Sequence, residues 1–308
     1  MPSLDGSHPT GTPLIHPPRP LLDTIERLLT GIKGRIVRIE LVNDVPAGSS
    51  FHTVRKIFTN EGVFCLKYRL GTDHLYFSAE SDGINRLQQT HTVLTPKVVL
   101  EGVAEGYQYL LTEFIFSAPK RTDYWETLGR QLAELHRHTA NDFGLESDNF
   151  IGALPQRNRK QDRWADFFIS QRLIPQLEYG IGHQVFDKSL AAAMERLFPR
   201  LHDYFPEEPP ALLHGDLWSG NLLTNEAGHP VVIDPAVYYG HREAELAFTQ
   251  LFGGFATTFL QAYQSVYPLT NGFFDRVKLY NLYPLMVHAN LFGGHYVRDV
   301  IETVRRLS

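Results

Sequence analysis

The chain has 308 residues, 43% hydrophobic and 20% charged, with a formal net charge of −5. That length supports two modest folding units, and the composition is that of an ordinary globular protein. A mildly negative chain with no basic block argues against nucleic acid or an anionic membrane as partner. The one cysteine, Cys65, excludes an internal disulfide, and no apolar run approaches membrane-spanning length. With no charged-then-apolar leader, the expectation is a cytoplasmic enzyme.

Residues 1–20 are rich in proline and read as an extended arm. Leu21, Leu22, Ile25, Leu28 and Leu29 then recur at helical spacing. Residues 35–70 alternate in strand fashion, and the turn Asn60-Glu61-Gly62 makes a hairpin of the second and third runs. Cys65, between Phe64 and Leu66, is expected as a packed thiol on a strand. Asp73–Thr90 reads as a helix, with Leu75, Ala79, Ile84 and Leu87 on or near one face, and Val93–Leu100 and Tyr107–Ile115 read as strands. Residues 35–115 should therefore form a mostly antiparallel sheet with one inserted helix, within a lobe of residues 21–116 that ends near Phe116-Ser117-Ala118-Pro119.

Residues 117–308 should form a larger, mostly helical lobe. Helical spacing marks Tyr124–Thr139, Arg163–Leu177, Ser189–Tyr204, Glu243–Tyr267, Phe274–Leu291 and a last segment to the C-terminus. Leu135-His136-Arg137-His138 reads as a helix face, and Asn149–Gln161 as a polar loop. The fold class is α+β with two lobes.

Within the helical lobe, His214-Gly215-Asp216-Leu217-Trp218-Ser219-Gly220-Asn221 is followed by the apolar run Val231-Val232-Ile233 and Asp234. Phosphoryl transfer from ATP needs a carboxylate to accept the substrate hydroxyl proton, and hard oxygen ligands for Mg²⁺. Asp216 fits the first role, and Asn221 and Asp234 the second. The flanking Leu212-Leu213 and Leu222-Leu223, and the turn Asn225–Gly228, place the motif on a loop–strand–turn–strand unit.

This kinase-like order directs attention to other parts of the chain. Lys67 ends the run Val63–Leu66 and suits neutralisation of phosphate oxygens, with Glu80 on the inserted helix to orient it and Asp82 as a rival. The turn at Gly48 and Ser49 lacks G-x-G-x-x-G, yet backbone N–H groups of a Gly/Ser turn bind phosphate. The lobe connection at Glu113, Phe114 and Ile115 is where a nucleobase pairs with backbone, through the Glu113 carbonyl and Ile115 N–H. Only a short stretch separates Asp234 from the helix holding Glu243 and Glu245, so no activation segment or peptide platform is expected. The acceptor should be a small molecule or a group on a flexible chain. Trp218 suits either stacking on a sugar ring or packing.

At this point A-L-L-H-G-D-L-W-S-G-N-L-L and D-P-A-V-Y-Y-G-H-R-E-A-E-L-A, with N-F-I-G-A-L-P-Q-R-N and Y-N-L-Y-P-L-M-V-H-A-N-L-F-G-G, resemble the fructosamine kinase (ketosamine-3-kinase) family. The likeness runs from about residue 20 to the C-terminus. It implies a protein-kinase-like fold related to aminoglycoside and choline kinases. It also implies ATP- and Mg²⁺-dependent phosphorylation of the 3-hydroxyl of a ketosamine, free or on a protein lysine, initiating deglycation. Asp216 would be the base, Asn221 and Asp234 the Mg²⁺ ligands, and Lys67 with Glu80 the phosphate-orienting pair. Glu113–Ile115 would bind adenine, and Trp218, His241 and His288 the substrate. Human-type members carry a cysteine in the phosphate loop. Gly48-Ser49-Ser50-Phe51 has none, so redox control there is not expected. A phosphotransferase for an aminosugar or choline-like hydroxyl is the alternative. A non-catalytic nucleotide-binding module is a third reading, against which the intact Asp216, Asn221, Asp234 and Lys67 speak.

Overall fold

A computed structural model describes residues 16–45 and 51–307. The chain divides into two compact units. The first comprises residues up to Ser78 with Val98–Phe114, and the second Ala79–Lys97 with the chain from Ile115 onward.

In the first unit, helix α1 (Arg19–Lys33) buries Leu21, Leu22, Ile25 and Leu29, as their spacing predicts. It stops at Gly34, whose left-handed backbone returns an N–H to the Thr30 carbonyl. Strands β1 (Ile39–Asp44), β2 (Thr53–Thr59) and β3 (Gly62–Leu70) follow. After helix α2 (Leu75–Gln89), which straddles the division, come β4 (Val98–Ala104) and β5 (Tyr107–Glu113). They form one antiparallel sheet in the order β1-β2-β3-β5-β4. Ile57, Leu66, Tyr68 and Leu111 pack with the apolar stripe of α1 to make this unit's core. Cys65 lies on β3 but is half-buried rather than packed away.

The strand expected over Val93–Leu100 begins only at Val98. Pro96 has no N–H to give a ladder. The residues before it sit instead with the second unit, where the Leu94 carbonyl accepts from the Val232 N–H at 2.8 Å.

The second unit begins with α3 (Tyr124–Leu135), and Asn149–Gln161 is not plain loop but carries a small hairpin of β6 (Asn149–Ile151) and β7 (Leu154–Gln156). The Arg163–Leu177 helix extends to Gly182, as α4 (Trp164–Phe167), a π-helical stretch Phe168–Leu173 and α5 (Ile174–Gly182). Next come α6 (Lys188–Leu197), α7 (Leu201–Tyr204), β8 (Ala211–Leu213), β9 (Leu222–Thr224), β10 (Pro230–Val232) and β11 (Tyr238–Gly240).

The long helix expected over Glu243–Tyr267 is two, α8 (Arg242–Leu251) and α9 (Thr257–Val266). Gly253 and Gly254 between them both take positive φ, which no α-helix accommodates. Phe274–Leu291 is likewise split into α10 (Phe273–Tyr280) and α11 (Leu282–Phe292), and α12 (His295–Leu307) closes the fold. Helices α3 and α9 pack through Gly129, where a Cβ would meet the Phe259 carbonyl oxygen at 2.2 Å. Among the described residues no helix is long and apolar enough to cross a membrane.

Candidate active site

Strands β8 and β11 pair, as do β9 and β10, and the predicted motif hangs between them. The β9–β10 turn is built by Asn225, whose side-chain oxygen accepts the Ala227 and His229 N–H groups. After β8 the chain turns at Gly215, with φ +84°. A Cβ there would lie 2.0 Å from the Ala236 oxygen, so only glycine lets the two segments approach this closely.

Asp216 and Asn221 are brought together. The Asn221 amide nitrogen donates to the Asp216 carboxylate at 2.9 Å and to its backbone oxygen at 2.8 Å. Asn221 is buried, and its own carbonyl accepts the Ile233 N–H at 3.1 Å. With both amide hydrogens committed to Asp216, the Asn221 side-chain oxygen is the atom left to ligate a cation. Asp234 follows Ile233 with φ +57°, a left-handed backbone that aspartate tolerates better than most residues. An amide oxygen and a carboxylate are hard donors that suit Mg²⁺, which retains waters and takes further oxygens from a substrate's phosphates. The residues present therefore fit the ion. Among the described residues, no group of three or more His, Cys, Asp and Glu forms an all-protein metal cage.

Burial pushes the Asp216 carboxyl up to about 7. The Asn221 hydrogen bond opposes the shift, and the charges of Asp234 and Glu245 add to it. A carboxyl poised there is suited to accept a proton near neutral pH.

The loop's entry is held by residues that sequence reasoning did not single out. Glu245, on the first turn of α8, is buried and accepts the His214 N–H at 3.1 Å and the Gly215 N–H at 2.7 Å. It also bonds His136 Nε2 at 2.9 Å, while His136 Nδ1 meets the Tyr263 hydroxyl at 2.8 Å. His136, read as part of a helix face, is fully buried behind the loop. Burial alone would raise the Glu245 carboxyl. The hydrogen bonds from His136 and the Gly215 N–H outweigh it and hold the group below its ordinary value. His214 is buried and its ring is held below its ordinary pKa chiefly by burial, so at neutral pH it is uncharged. Its Nε2–H donates to the Ile233 carbonyl at 3.0 Å, and its Nδ1 accepts the Asp216 N–H at 3.3 Å. One ring thereby ties the Asp216 loop to the strand that leads into Asp234.

The three residues expected at the substrate separate. Trp218 is half-buried, edge-on to Phe252 with ring centres 6.0 Å apart. His288, on α11, packs on the same Phe252 at 4.7 Å and on Tyr296 at 5.2 Å. These two border one aromatic cluster in the unit that holds Asp216. His241 does not join them. It is 0% exposed, caps α8 through its ring and the Glu243 N–H, and bonds the Pro206 carbonyl. An imidazole so enclosed cannot touch a substrate, and the expectation is corrected to a structural role.

In the first unit, Lys67 lies on the central strand β3 between Val54 of β2 and Leu110 of β5, and is 9% exposed. Glu113 ends β5, and the Phe114 N–H donates to the Val63 carbonyl with Lys56 4.2 Å over its ring. Ile115 follows and is half-buried. Glu80 lies on α2, half-buried. Gly48 and Ser49 lie outside the described residues.

A small antiparallel sheet, then a helical unit whose loop presents Asp216, Asn221 and Asp234, defines a protein-kinase-like phosphotransferase fold. The choline kinase LicA of Streptococcus pneumoniae shares it, with a TM-score of 0.60 at 15% identity over 93% of this chain and 98% of that one. So does an aminoglycoside phosphotransferase APH(4)-Ia variant solved with AMP-PNP and hygromycin B, with a TM-score of 0.60 at 17% identity over 92% and 98%. The chain belongs to the fructosamine kinase family, whose model matches residues 21–308. It is 35% identical over 284 residues to a probable ketoamine kinase of Synechocystis sp., covering 92% of this chain and 95% of that protein. The structure of a fructosamine-3-kinase candidate from Haemophilus somnus superposes with a TM-score of 0.84 at 26% identity, over 92% and 96% of the two chains. One from Thermobifida fusca gives 0.81 at 31%, over 92% and 98%. The protein is therefore an enzyme, a kinase of the ketoamine type.

Proposed function

We propose that the enzyme transfers the γ-phosphoryl group of ATP to the 3-hydroxyl of a ketosamine, free or attached to a protein amine, and so initiates deglycation. The observation that carries the chemistry is the Asp216 carboxylate, fixed by the Asn221 amide at 2.9 Å. Asp216 accepts the proton as the acceptor oxygen bonds to phosphorus and the bond to the ADP oxygen breaks. Asn221 Oδ1 and the Asp234 carboxylate hold Mg²⁺, which when bound neutralises charge on the phosphate oxygens. Lys67 supplies a further cation for the phosphates, with Glu80 as its orienting carboxylate. The Glu113–Ile115 backbone pairs with the nucleobase, and Gly48 and Ser49 contribute N–H groups to phosphate. Trp218 and His288 face the acceptor. The AMP-PNP complex of the APH(4)-Ia variant supports ATP as donor.

The product's chemistry supports the deglycation step. Enolisation between C1 and C2 of the ketosamine places a double bond beside C3. Phosphate then leaves C3, and the resulting imine hydrolyses to free the amine.

The test is ADP release on fructosamine, ribulosamine and erythrulosamine adducts, with an aminosugar and choline alongside. Turnover on a ketosamine, phosphate on its O3 and a fall of about 10²–10⁴-fold in Asp216→Asn are expected. Turnover confined to the aminosugar or choline would sink the ketosamine reading.

A further inference from the structure

The N-F-I-G-A-L-P-Q-R-N segment has no part in the reaction as derived above, yet it carries three buried amides. Asn149, Gln156 and Asn158 are 5%, 1% and 1% exposed. Amides buried so deeply are costly unless bonded. Asn149 Nδ2 donates to the Val237 carbonyl at 2.8 Å. Gln156 Nε2 donates to the Ala236 carbonyl at 3.1 Å and to Asn149 Oδ1 at 2.8 Å. Asn158 Nδ2 donates to the same Asn149 oxygen at 2.9 Å and to the Ser147 carbonyl at 3.1 Å.

Two further residues key the amides in this orientation. The Tyr283 hydroxyl, on α11, donates to Gln156 Oε1 at 2.8 Å, so the Gln156 nitrogen must face Ala236. Arg172, in the π-helical stretch and 0% exposed, donates to Asn158 Oδ1 at 2.9 Å. Its guanidinium lies 4.0 Å from the Tyr238 ring centre, on the segment being held.

The two carbonyls held in this way belong to the residues just after Asp234-Pro235. Upstream, Ile233 is pinned at both ends, its N–H by the Asn221 carbonyl and its carbonyl by His214. Downstream, the Ala236 N–H donates to the His214 carbonyl at 2.9 Å while its carbonyl takes Gln156. Asp234 and Pro235 span the gap between these anchors, and Pro235 has its own φ fixed. A left-handed backbone at a non-glycine residue carries a cost that its surroundings must offset.

We propose that the Asn149–Gln156–Asn158 cluster, keyed by Tyr283 and Arg172, is a positioning device for phosphoryl transfer. By pinning the Ala236 and Val237 carbonyls it holds Asp234 in its left-handed backbone in the resting protein, with no ordering step before nucleotide binds. These are positioning residues, acting through Asp234, and the inference rests on the reading of Asp234 as a Mg²⁺ ligand.

Gln156→Leu removes the bond to the Ala236 carbonyl and the link to Asn149, leaving Asn149 on the Val237 carbonyl. Tyr283→Phe removes one oxygen and leaves the volume unchanged. Hydrogen exchange on the full chain, free of metal and nucleotide, should quicken about tenfold over residues 232–238 in both variants while α9 keeps its protection. The Mg²⁺ concentration for half-maximal binding of a non-hydrolysable ATP analogue should rise about fivefold or more. Binding of the analogue does not depend on any acceptor, so the outcome stands even if no ketosamine is turned over. Unchanged exchange over 232–238 in both variants, or acceleration spread evenly over the second unit, overturns the proposal. So does an unshifted Mg²⁺ curve.

Discussion

Asp216 is a carboxyl kept where its charge is disfavoured. Its folded pKa is raised from 3.8 to about 7, first by burial and then by Asp234 and Glu245, against the hydrogen bond from Asn221. Between those two values the folded chain binds more protons than the unfolded one, so stability falls as pH rises. The contribution is fully present below the unfolded value and lost once pH passes the folded one. Asp216→Asn removes the titration. Metal-free melts of the variant should therefore exceed wild type near pH 8 and converge toward it near pH 5. A melting difference that stays constant with pH would refute this. The pairing of Asp216 with Asn221 was legible in the chain because five residues of one tight loop bring the two side chains into hydrogen-bond reach. His241 misled for the opposite reason. A histidine beside such a motif reads as chemistry, and only the packing shows it enclosed by Pro206, Phe205 and Tyr280.

Among the elements, α8 carries the most consequence for the loop. Its first turn delivers Glu245 to two loop N–H groups, and its C-terminal end at Gly253-Gly254 frees α9 to pack on α3. Glu245→Gln places an amide N–H against a backbone N–H while keeping the shape. A displacement of the loop by about 1 Å is expected, with kcat reduced about 10²-fold and the KM for ATP little changed. Equal losses in kcat and kcat/KM would confirm an effect on the transition state, whereas wild-type kcat would exclude the role. Periodicity located most helices because their apolar faces are continuous. It overran at Gly253-Gly254 because the apolar pattern continues across the break, and the left-handed backbone of two glycines decides where the helix stops.

On the scale of the whole molecule, each unit has its own core. In the first, Ile57, Leu66 and Leu111 pack under α1. All three tryptophans, Trp125, Trp164 and Trp218, lie in the second. Leu66→Ala should cost about 2–5 kcal/mol in the first unit. Urea unfolding followed by far-UV circular dichroism should then shift ahead of the tryptophan-fluorescence transition, departing from two-state behaviour. Coincident curves would show that the two cores unfold as one. Residue order along the chain carried the fold class, most of the sheet of the first unit and the placing of Asp216 beside Asn221, because each rests on short-range spacing. Folding alone brings Glu245 to Gly215 from thirty residues away and Gln156 to Ala236 from eighty. A buried polar side chain serving a distant backbone group leaves no periodic mark, so its partner emerges only when the chain has packed.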